Sequence, residues 1–290
     1  MNRGRRDSLE EDWNAMTDGS RRIGDREVAL LLDGIFEPPP GVVVHPDGVE
    51  ARDRALGPLS GDAIRIDVNA FLLRGPDGIT LVDAGTGQAW GPALGHARTA
   101  LERHGIAPGQ VDRVLLTHIH GDHALGLLDG EEPWLPRAEI LVPERDLGFF
   151  TDAVSREATP PERRSGFDIA EKLVRAYAGR LRGVPAGEVL PGIELLPLPG
   201  HTPGHAGYLL RGEGEGGSLL LWGDLLHLAG PQSADPALSL TYDLDPAEAR
   251  RSRKAGLERA AAAGCLVAGG HVTGFSRVRA EGMGFRMVAG

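Results

Sequence analysis

The stretch THIHGDH at residues 117–123 carries more chemical information than any other part of this chain. It follows the apolar run VLL at residues 114–116, which is typical of a strand buried on both faces. In an extended chain, residues i and i+2 point to the same side, so the imidazoles of His118 and His120 can reach one ion. The spacing therefore predicts a metal-binding loop at the end of a buried strand.

The second half of this stretch supplies two more side chains that bind metals. Gly121 permits a sharp turn, and Asp122 and His123 then point away from the first pair, toward a second ion. A carboxylate and three imidazoles within six residues are costly to place together unless a metal neutralises and orients them. The chain has 10 histidines in 290 residues, so a polar loop that gathers three of them by chance is the weaker interpretation.

Later in the chain, the same pattern returns: an apolar run, then a glycine, then a residue that can bind a metal. The segments with this pattern are PGHTPGH at residues 199–205, WGD at residues 222–224 and GGH at residues 269–271. Each segment alone is weak evidence for a ligand. Because the pattern is repeated, we predict that His201, Asp224 and His271 complete the metal site.

The rest of the chain alternates short apolar runs with helical patterns, which predicts an α/β domain with metal-binding loops at strand ends. A hairpin is predicted around the turn GPDG at residues 75–78. Helices are predicted over three stretches, which are residues 89–104, 161–182 and 245–264. Residues 1–25 are polar and are interpreted as an N-terminal arm, so that residues 26–290 form one domain.

The composition excludes some classes of protein. The net charge is −10 and the pI is about 5.5, whereas a nucleic-acid-binding protein is more often basic. Cys265 is the single cysteine, so an intramolecular disulfide is impossible. Arg5 and Arg6 are followed by acidic residues rather than by an apolar signal segment, and no run reaches transmembrane length. We therefore expect a cytoplasmic protein without a membrane or nucleic-acid partner.

Taken together, these motifs resemble those of the metallo-β-lactamase superfamily. The resemblance rests on the HxHxDH signature, the PGHTPGH, GD and GGH segments, and the run LVDAGTG at residues 81–87, and it extends from Val28 to the C-terminus. It implies a four-layer αββα sandwich, which is an α/β (α+β) architecture, with the active site at one edge of the two sheets.

The resemblance also implies a complete set of ligands for two divalent ions. The implied ligands are His118, His120 and His201 for one ion, Asp122, His123 and His271 for the other, and Asp224 as a bridge between them. Asp122 and Asp224 would be the catalytic residues. Asp83 would orient the ligands from a nearby turn, although an aspartate before glycines can also serve the turn alone.

Two such ions can share a water molecule and lower its pKa, so that a bridging hydroxide attacks the substrate. Zinc is the favoured metal, but histidine and carboxylate ligands also accept manganese, cobalt or iron. The C-terminal part, from GDLLH at residues 223–227 to MGF at residues 283–285, looks similar to methyl parathion hydrolase-like proteins and lactonases. That similarity implies a small ester, lactone or phosphotriester as substrate, and a homodimer.

Other functions stay open at this point. The same ligands would serve a phosphodiesterase or nuclease, a β-lactamase or a thioesterase, an iron enzyme, or a protein that keeps metals only for stability. Four aromatic side chains are predicted to line an apolar pocket for the leaving group, with ordinary packing as the alternative: Trp134, Phe149, Phe150 and Phe275. Tyr242 is expected to donate a hydrogen bond to a substrate oxygen, and His227 to line the pocket, although either can equally well be a packing residue.

Overall fold

Alternate side chains of one long strand enter two different cores. The computed structural model of the protein describes residues 19–39, 41–60, 63–213 and 217–290. In the strand Arg26–Phe36 (β2), Leu30 and Leu32 belong to one buried cluster, whereas Ala29 and Leu31 belong to another. Successive strand residues point to opposite faces, so this sheet is covered on both sides.

The first sheet has seven strands and joins an antiparallel half to a parallel half. In spatial order its strands are β1 (Arg21–Ile23), β2, β4 (Ile66–Gly75), β5 (Gly78–Val82), β6 (Arg113–Leu115), β9 (Glu139–Pro143) and β10 (Leu181–Val184). The neighbours from β5 to β10 run parallel, so the carboxyl ends of these strands meet at one edge of the sheet.

The second sheet also has seven strands and is mainly antiparallel. In spatial order they are β11 (Gly187–Leu190), β12 (Ile193–Pro197), β13 (Ala206–Leu210), β14 (Leu219–Leu221), β16 (Leu266–Gly269), β17 (Val272–Glu281) and β18 (Gly284–Ala289). Only the pairing of β14 with β16 is parallel within this sheet. Two short ribbons pair β3 (Val43–Val44) with β15 (Ser239–Leu240), and β7 (Leu128–Asp129) with β8 (Glu132–Pro133).

The helices and the two sheets enclose three main cores. The described helices are α1 (Val49–Leu56), α2 (Ala97–Arg103), α3 (Gly121–Ala124), α4 (Glu144–Thr151), α5 (Ala153–Ala158), α6 (Ser165–Ala176), α7 (Ala229–Ala234) and α8 (Pro246–Ala263). One core lies between the sheets, one joins the first sheet to α2, α4 and α6, and one joins the second sheet to α8. The layers are therefore helix, sheet, sheet and helix, which confirms the predicted αββα sandwich.

Several predicted boundaries need correction. The strand β1 pairs with β2, so the domain begins before residue 26, and residues 1–18 of the predicted arm lie outside the described residues. The helix predicted over residues 89–104 is confined to α2, because Gly91 and Gly95 have positive φ angles and break the helix before Ala97. The helix predicted over residues 161–182 is confined to α6 and is followed by β10. Within the described residues, no helix combines the length and apolar character needed to cross a membrane.

Candidate metal centre and active site

Four loops and turns bring the predicted ligands together at one edge of the two sheets. The motif at residues 117–123 follows β6, His201 follows β12, Asp224 follows β14, and His271 lies between β16 and β17. The close approach of these loops requires glycine at residue 270, where a Cβ atom would lie 2.7 Å from both Asp224 Oδ1 and His123 Cε1. The sequence pattern of a glycine before each ligand therefore has a steric reason at this position.

Three imidazoles form the first group. His120 Nδ1 lies 3.1 Å from His118 Nε2 and 2.9 Å from His201 Nε2. Two nitrogen ligands of a tetrahedral zinc ion lie roughly 3.3 Å apart, so this spacing is close to the one a metal requires. Burial and then the neighbouring His123 hold the pKa of His118 well below its ordinary value. A neutral imidazole with a lone pair is the form that binds a metal.

The second group contains two carboxylates and two imidazoles. Asp224 Oδ1 lies 3.0 Å from His123 Nε2, and Asp224 Oδ2 lies 3.0 Å from His271 Nε2. Asp122 Oδ2 is 3.5 Å from His271 Nε2 and 3.7 Å from His123 Nε2. Asp224 Oδ2 also lies 3.2 Å from His201 Nε2, so this carboxylate contacts both groups.

The polar atoms of this site fit a divalent metal. His123 Nε2 and Asp224 Oδ1 are buried and close together, yet neither has a hydrogen-bond partner among the described residues. Unpartnered buried polar atoms are costly, and a cation bound between them would satisfy both. The donor set of imidazoles and carboxylates suits zinc, manganese, cobalt or iron.

Buried acceptors hold the outer nitrogens of these imidazoles. Asp83 Oδ2 lies 2.8 Å from His123 Nδ1, and Asp83 also accepts a hydrogen bond from the Thr117 amide at 2.8 Å. Asp83 adopts a positive φ of 60°, a conformation that aspartate tolerates better than most residues. The backbone oxygen of Asp67 lies 2.7 Å from His271 Nδ1. Asp83 therefore does more than form a turn, because it fixes both the motif loop and His123.

His205 holds the backbone at Asp224 without belonging to either group of ligands. Its Nε2 accepts a hydrogen bond of 2.9 Å from the Asp224 amide, and its Nδ1 lies 2.7 Å from the Leu198 oxygen. Burial and the nearby His201 lower the pKa of His205 to about 3, so the ring is neutral and can accept at Nε2.

The sequence did not reveal three polar residues that hold this site. Asp243 Oδ1 lies 3.0 Å from His201 Nδ1, and Arg253 Nη2 donates to Asp243 Oδ2 at 3.4 Å. Asp146 accepts hydrogen bonds from the amides of Ile119 at 2.7 Å and Gly204 at 3.0 Å, and thereby joins two of the ligand loops. In the sequence, only the position of Asp243 beside Tyr242 could have pointed to it. No sequence feature pointed to Asp146 or Arg253.

A cavity of about 490 Å³ borders both groups of ligands. Phe36, Ile66 and Trp90 contribute apolar surface, and the Phe36 and Trp90 rings lie 5.4 Å apart between centroids. Tyr242 and His227 also line it, in the positions that the sequence suggested. Burial and then Asp122 raise the pKa of Tyr242, so its hydroxyl stays protonated at neutral pH and can donate a hydrogen bond.

The four aromatic residues predicted for the pocket belong elsewhere. Phe275 lies in the core between the sheets. Trp134 packs under the guanidinium of Arg98 on the outer core, which is the core that joins the first sheet to α2, α4 and α6. Phe150 is buried behind His120, with 6.3 Å between ring centroids, and Phe149 borders an adjoining cavity of about 340 Å³. The correction has a simple cause, because hydrophobicity alone does not separate a core residue from one that faces a cavity.

Comparisons with known proteins identify the family of this chain. The model of the metallo-beta-lactamase superfamily matches residues 64–271. A probable metallo-hydrolase of Mycobacterium tuberculosis is 27% identical over 181 residues, which cover 54% of this chain and 57% of that protein. The chain spans 57–65% of the length of the curated relatives that it matches.

Two solved structures share the fold over nearly the whole chain. The hydrolase AbOPH of the beta-lactamase superfamily is 27% identical with a TM-score of 0.83, and the match covers 93% of this chain and 96% of AbOPH. AidC, a dizinc quorum-quenching lactonase solved with a homoserine product, is 20% identical with a TM-score of 0.83, over 94% of this chain and 97% of AidC. The family match, the fold and the converging His and Asp side chains lead to one conclusion: this chain belongs to the metallo-beta-lactamase superfamily.

Proposed function

We propose that this protein is a dinuclear metal-dependent hydrolase of a small ester, lactone or phosphotriester. The observation that carries the proposal is the convergence of the seven predicted ligand side chains in two adjoining groups beside one cavity. A cavity of about 490 Å³ has the size typical of sites for small molecules.

The proposed ligands are His118, His120 and His201 for one ion, Asp122, His123 and His271 for the other, and Asp224 for both. Zinc is the metal that we propose, and manganese, cobalt and iron are compatible with the same donors. When bound, such ions act as Lewis acids that lower the pKa of water and polarise a carbonyl or phosphoryl oxygen.

Two side chains of the cavity have proposed roles in the reaction. The Asp122 carboxylate borders the cavity and keeps 13% of its side chain exposed, so it can accept a proton from the attacking water and pass it to the leaving group. The protonated Tyr242 hydroxyl can donate to the substrate oxygen on which negative charge develops. Both roles require that the substrate occupies the cavity beside the ligands, and the role of Asp122 also requires the water that bound ions would activate.

The apolar surface of the cavity supports a substrate with an uncharged apolar substituent. Phe36, Ile66 and Trp90 can contact an acyl chain or an aryl leaving group. Arg163 is the one arginine or lysine among the described cavity residues, and its guanidinium already donates to the backbone oxygens of Thr241 and Asp243. A nuclease would need more cations to bind a phosphate backbone. We therefore rank a nuclease or phosphodiesterase second to the hydrolase of small substrates.

Metal analysis combined with a panel of substrates tests the proposal. We expect two equivalents of a divalent metal, turnover of a lactone, an aryl ester or paraoxon, loss of turnover with EDTA, and recovery with zinc, manganese or cobalt. Asp224→Ala, purified in parallel, controls for contaminating hydrolases. Preferential turnover of bis(p-nitrophenyl) phosphate, nitrocefin or a thioester would instead favour a phosphodiesterase, a β-lactamase or a thioesterase.

We also propose a homodimer in the cytoplasm. The dimer rests on the similarity to methyl parathion hydrolase-like proteins, and the location is the one that the sequence predicts. Sedimentation analysis of the purified protein tests the dimer, since a monomer at micromolar concentration would contradict it.

A further inference from the structure

The chain between β14 and α8 carries much of the cavity. Asp224 stands at its start, His227 follows three residues later, and Tyr242 and Asp243 lie near its end. This connection contains only the short helix α7 and the two-residue strand β15. Backbone bonds within the connection form only local turns, so contacts from other elements are needed to hold it around the cavity.

One buried arginine on α8 contacts this connection at three places. Arg253 is 1% exposed, and its Nε donates to the Leu225 oxygen at 3.0 Å. Its Nη1 donates to the oxygens of Pro236 at 3.1 Å and Leu238 at 2.9 Å, and its Nη2 donates to Asp243 Oδ2 at 3.4 Å. The planar guanidinium can make these bonds simultaneously because its donors point in fixed, separate directions.

The carboxylate of Asp243 extends this contact to the metal centre. Asp243 is fully buried, and its other oxygen lies 3.0 Å from His201 Nδ1. Because a carboxylate accepts, Asp243 fixes a proton on His201 Nδ1, so that Nε2, which faces His120 and Asp224, would be the atom that binds a metal. Arg253 compensates the buried charge of Asp243, and Asp243 in turn compensates the buried charge of Arg253.

In the described part of the chain, the acceptors that hold the outer nitrogens of His123 and His271 are not paired with a buried arginine. Asp83, which holds His123, accepts from the amide and hydroxyl of Thr117, and His271 is held by a backbone oxygen. Among the described contacts of these histidines, only the one to His201 continues through a carboxylate to a buried guanidinium. This makes the group of His118, His120 and His201 specifically dependent on α8.

We propose that Arg253 and Asp243 are positioning residues that set the metal affinity of the group formed by His118, His120 and His201, while holding the connection between β14 and α8 around the cavity. The inference rests on the proposed metal site. Loss of a carboxylate that orients a metal-binding histidine typically weakens metal binding about 10–100-fold. The other ion should be affected much less, because its imidazoles have separate partners.

Zinc competition with a chromophoric chelator, together with cobalt absorption spectra, tests this in the full chain. Asp243→Asn keeps the shape of the side chain but presents an amide to His201 or Arg253. We expect it to weaken one of the two ions about 10–100-fold and to change the cobalt spectrum of that ion. Arg253→Met should do the same and Arg253→Lys should recover part of the affinity. Arg251→Met, on the exposed side of the same helix, should bind both ions as the unaltered protein does.

The outcomes separate this inference from the proposed function. If the unaltered protein binds two ions and hydrolyses its substrate, but Asp243→Asn binds both ions with unchanged affinity, the positioning role is wrong. If both ions weaken equally, or Arg251→Met has the same effect as Arg253→Met, the specific link to His201 is wrong. A failure of the unaltered protein to bind metal would refute the proposed function itself. Asp243→Asn keeps the test decisive if Arg253→Met does not fold.

Discussion

The two regions that enclose the metal centre are held by opposite kinds of side chain. Carboxylates hold the motif loop, since Asp83 accepts from the Thr117 amide and Asp146 accepts from the Ile119 amide. A guanidinium holds the connection between β14 and α8, since Arg253 donates to carbonyl oxygens of that connection. Each anchor satisfies the backbone groups that the irregular chain leaves without partners, which are N–H groups in one region and C=O groups in the other.

This difference follows from how the functional residues are spaced. The motif loop carries its four predicted ligands within six residues, and its two anchors contact its backbone at Thr117 and Ile119. The connection distributes its functional residues between Asp224 and Asp243, so its anchor must contact it at several points. A local motif can therefore be recognised from the sequence, whereas the distributed region depends on a residue of another element.

The largest expected effect comes from the side chain that joins the two regions. Asp224→Ala removes the carboxylate that contacts His123 on one side and His201 on the other. We expect loss of at least one metal equivalent and a fall in kcat/KM of about 1,000-fold or more, because the two proposed ions would no longer share a ligand. Metal analysis and steady-state kinetics measure both effects, and unchanged turnover would rule out the bridging role.

The next effect concerns the anchor of the motif loop. Asp146→Ala leaves the amides of Ile119 and Gly204 buried without their acceptor. We expect the free energy of unfolding to fall by about 2–4 kcal/mol, because each buried unsatisfied donor costs roughly 1–3 kcal/mol. Urea unfolding in the presence of EDTA measures this without the contribution of metal binding.

Asp168→Ala is the matched control for that anchor, because Asp168 is exposed on α6 and pairs only with Arg156 in the described structure. It should change stability by no more than about 0.5 kcal/mol. Equal losses in the two variants would mean that burial of the Asp146 carboxylate contributes nothing specific to the loop.

The fold could be predicted from the sequence because its signals are local. The HxHxDH loop, the glycine before each later ligand and the turn at residues 75–78 each depend on a few consecutive residues. The two sheets and the four layers follow from the family that these motifs indicate, and the structure confirms them. The error at residues 89–96 arose where Asp33, far away in β2, accepts from the amides of Gly95 and Ala97 and determines where α2 starts.

The walls of the cavity could not be predicted in the same way. Phe275 and Trp90 are both aromatic and both stand among small or apolar residues, yet one lies between the sheets and the other borders the cavity. Likewise, Asp146 and Arg253 are charged residues on helices, where a solvated position is the usual expectation. Only the packing of distant elements decides which charged side chains become anchors.

A smaller effect is expected for the hydroxyl that the β14–α8 connection presents to the cavity. Tyr242→Phe removes a proposed hydrogen bond to the substrate oxygen while keeping the ring. We expect kcat/KM to fall about 3–10-fold, mainly through kcat, with unchanged metal content. In contrast, Tyr177→Phe removes a hydroxyl that donates to the Leu127 oxygen in the outer core, and should lower stability without altering kinetics. Identical kinetics for Tyr242→Phe and the unaltered protein would show that the Tyr242 hydroxyl has no role in the reaction.

The smallest effect distinguishes two tryptophans, and it tests whether the substrate binds in the cavity of about 490 Å³. Trp90 is 40% exposed beside the motif loop and packs near Phe36, whereas Trp134 packs on the outer core beneath Arg98. Loss of one aromatic contact with a bound aryl ester costs about 1 kcal/mol, so Trp90→Ala should raise KM about fivefold and leave kcat nearly unchanged. Trp134→Ala should lower stability and leave KM unchanged, because its ring does not border the cavity. The reverse result would move the substrate toward the outer core, and would show that the Phe36 and Trp90 surface serves another purpose.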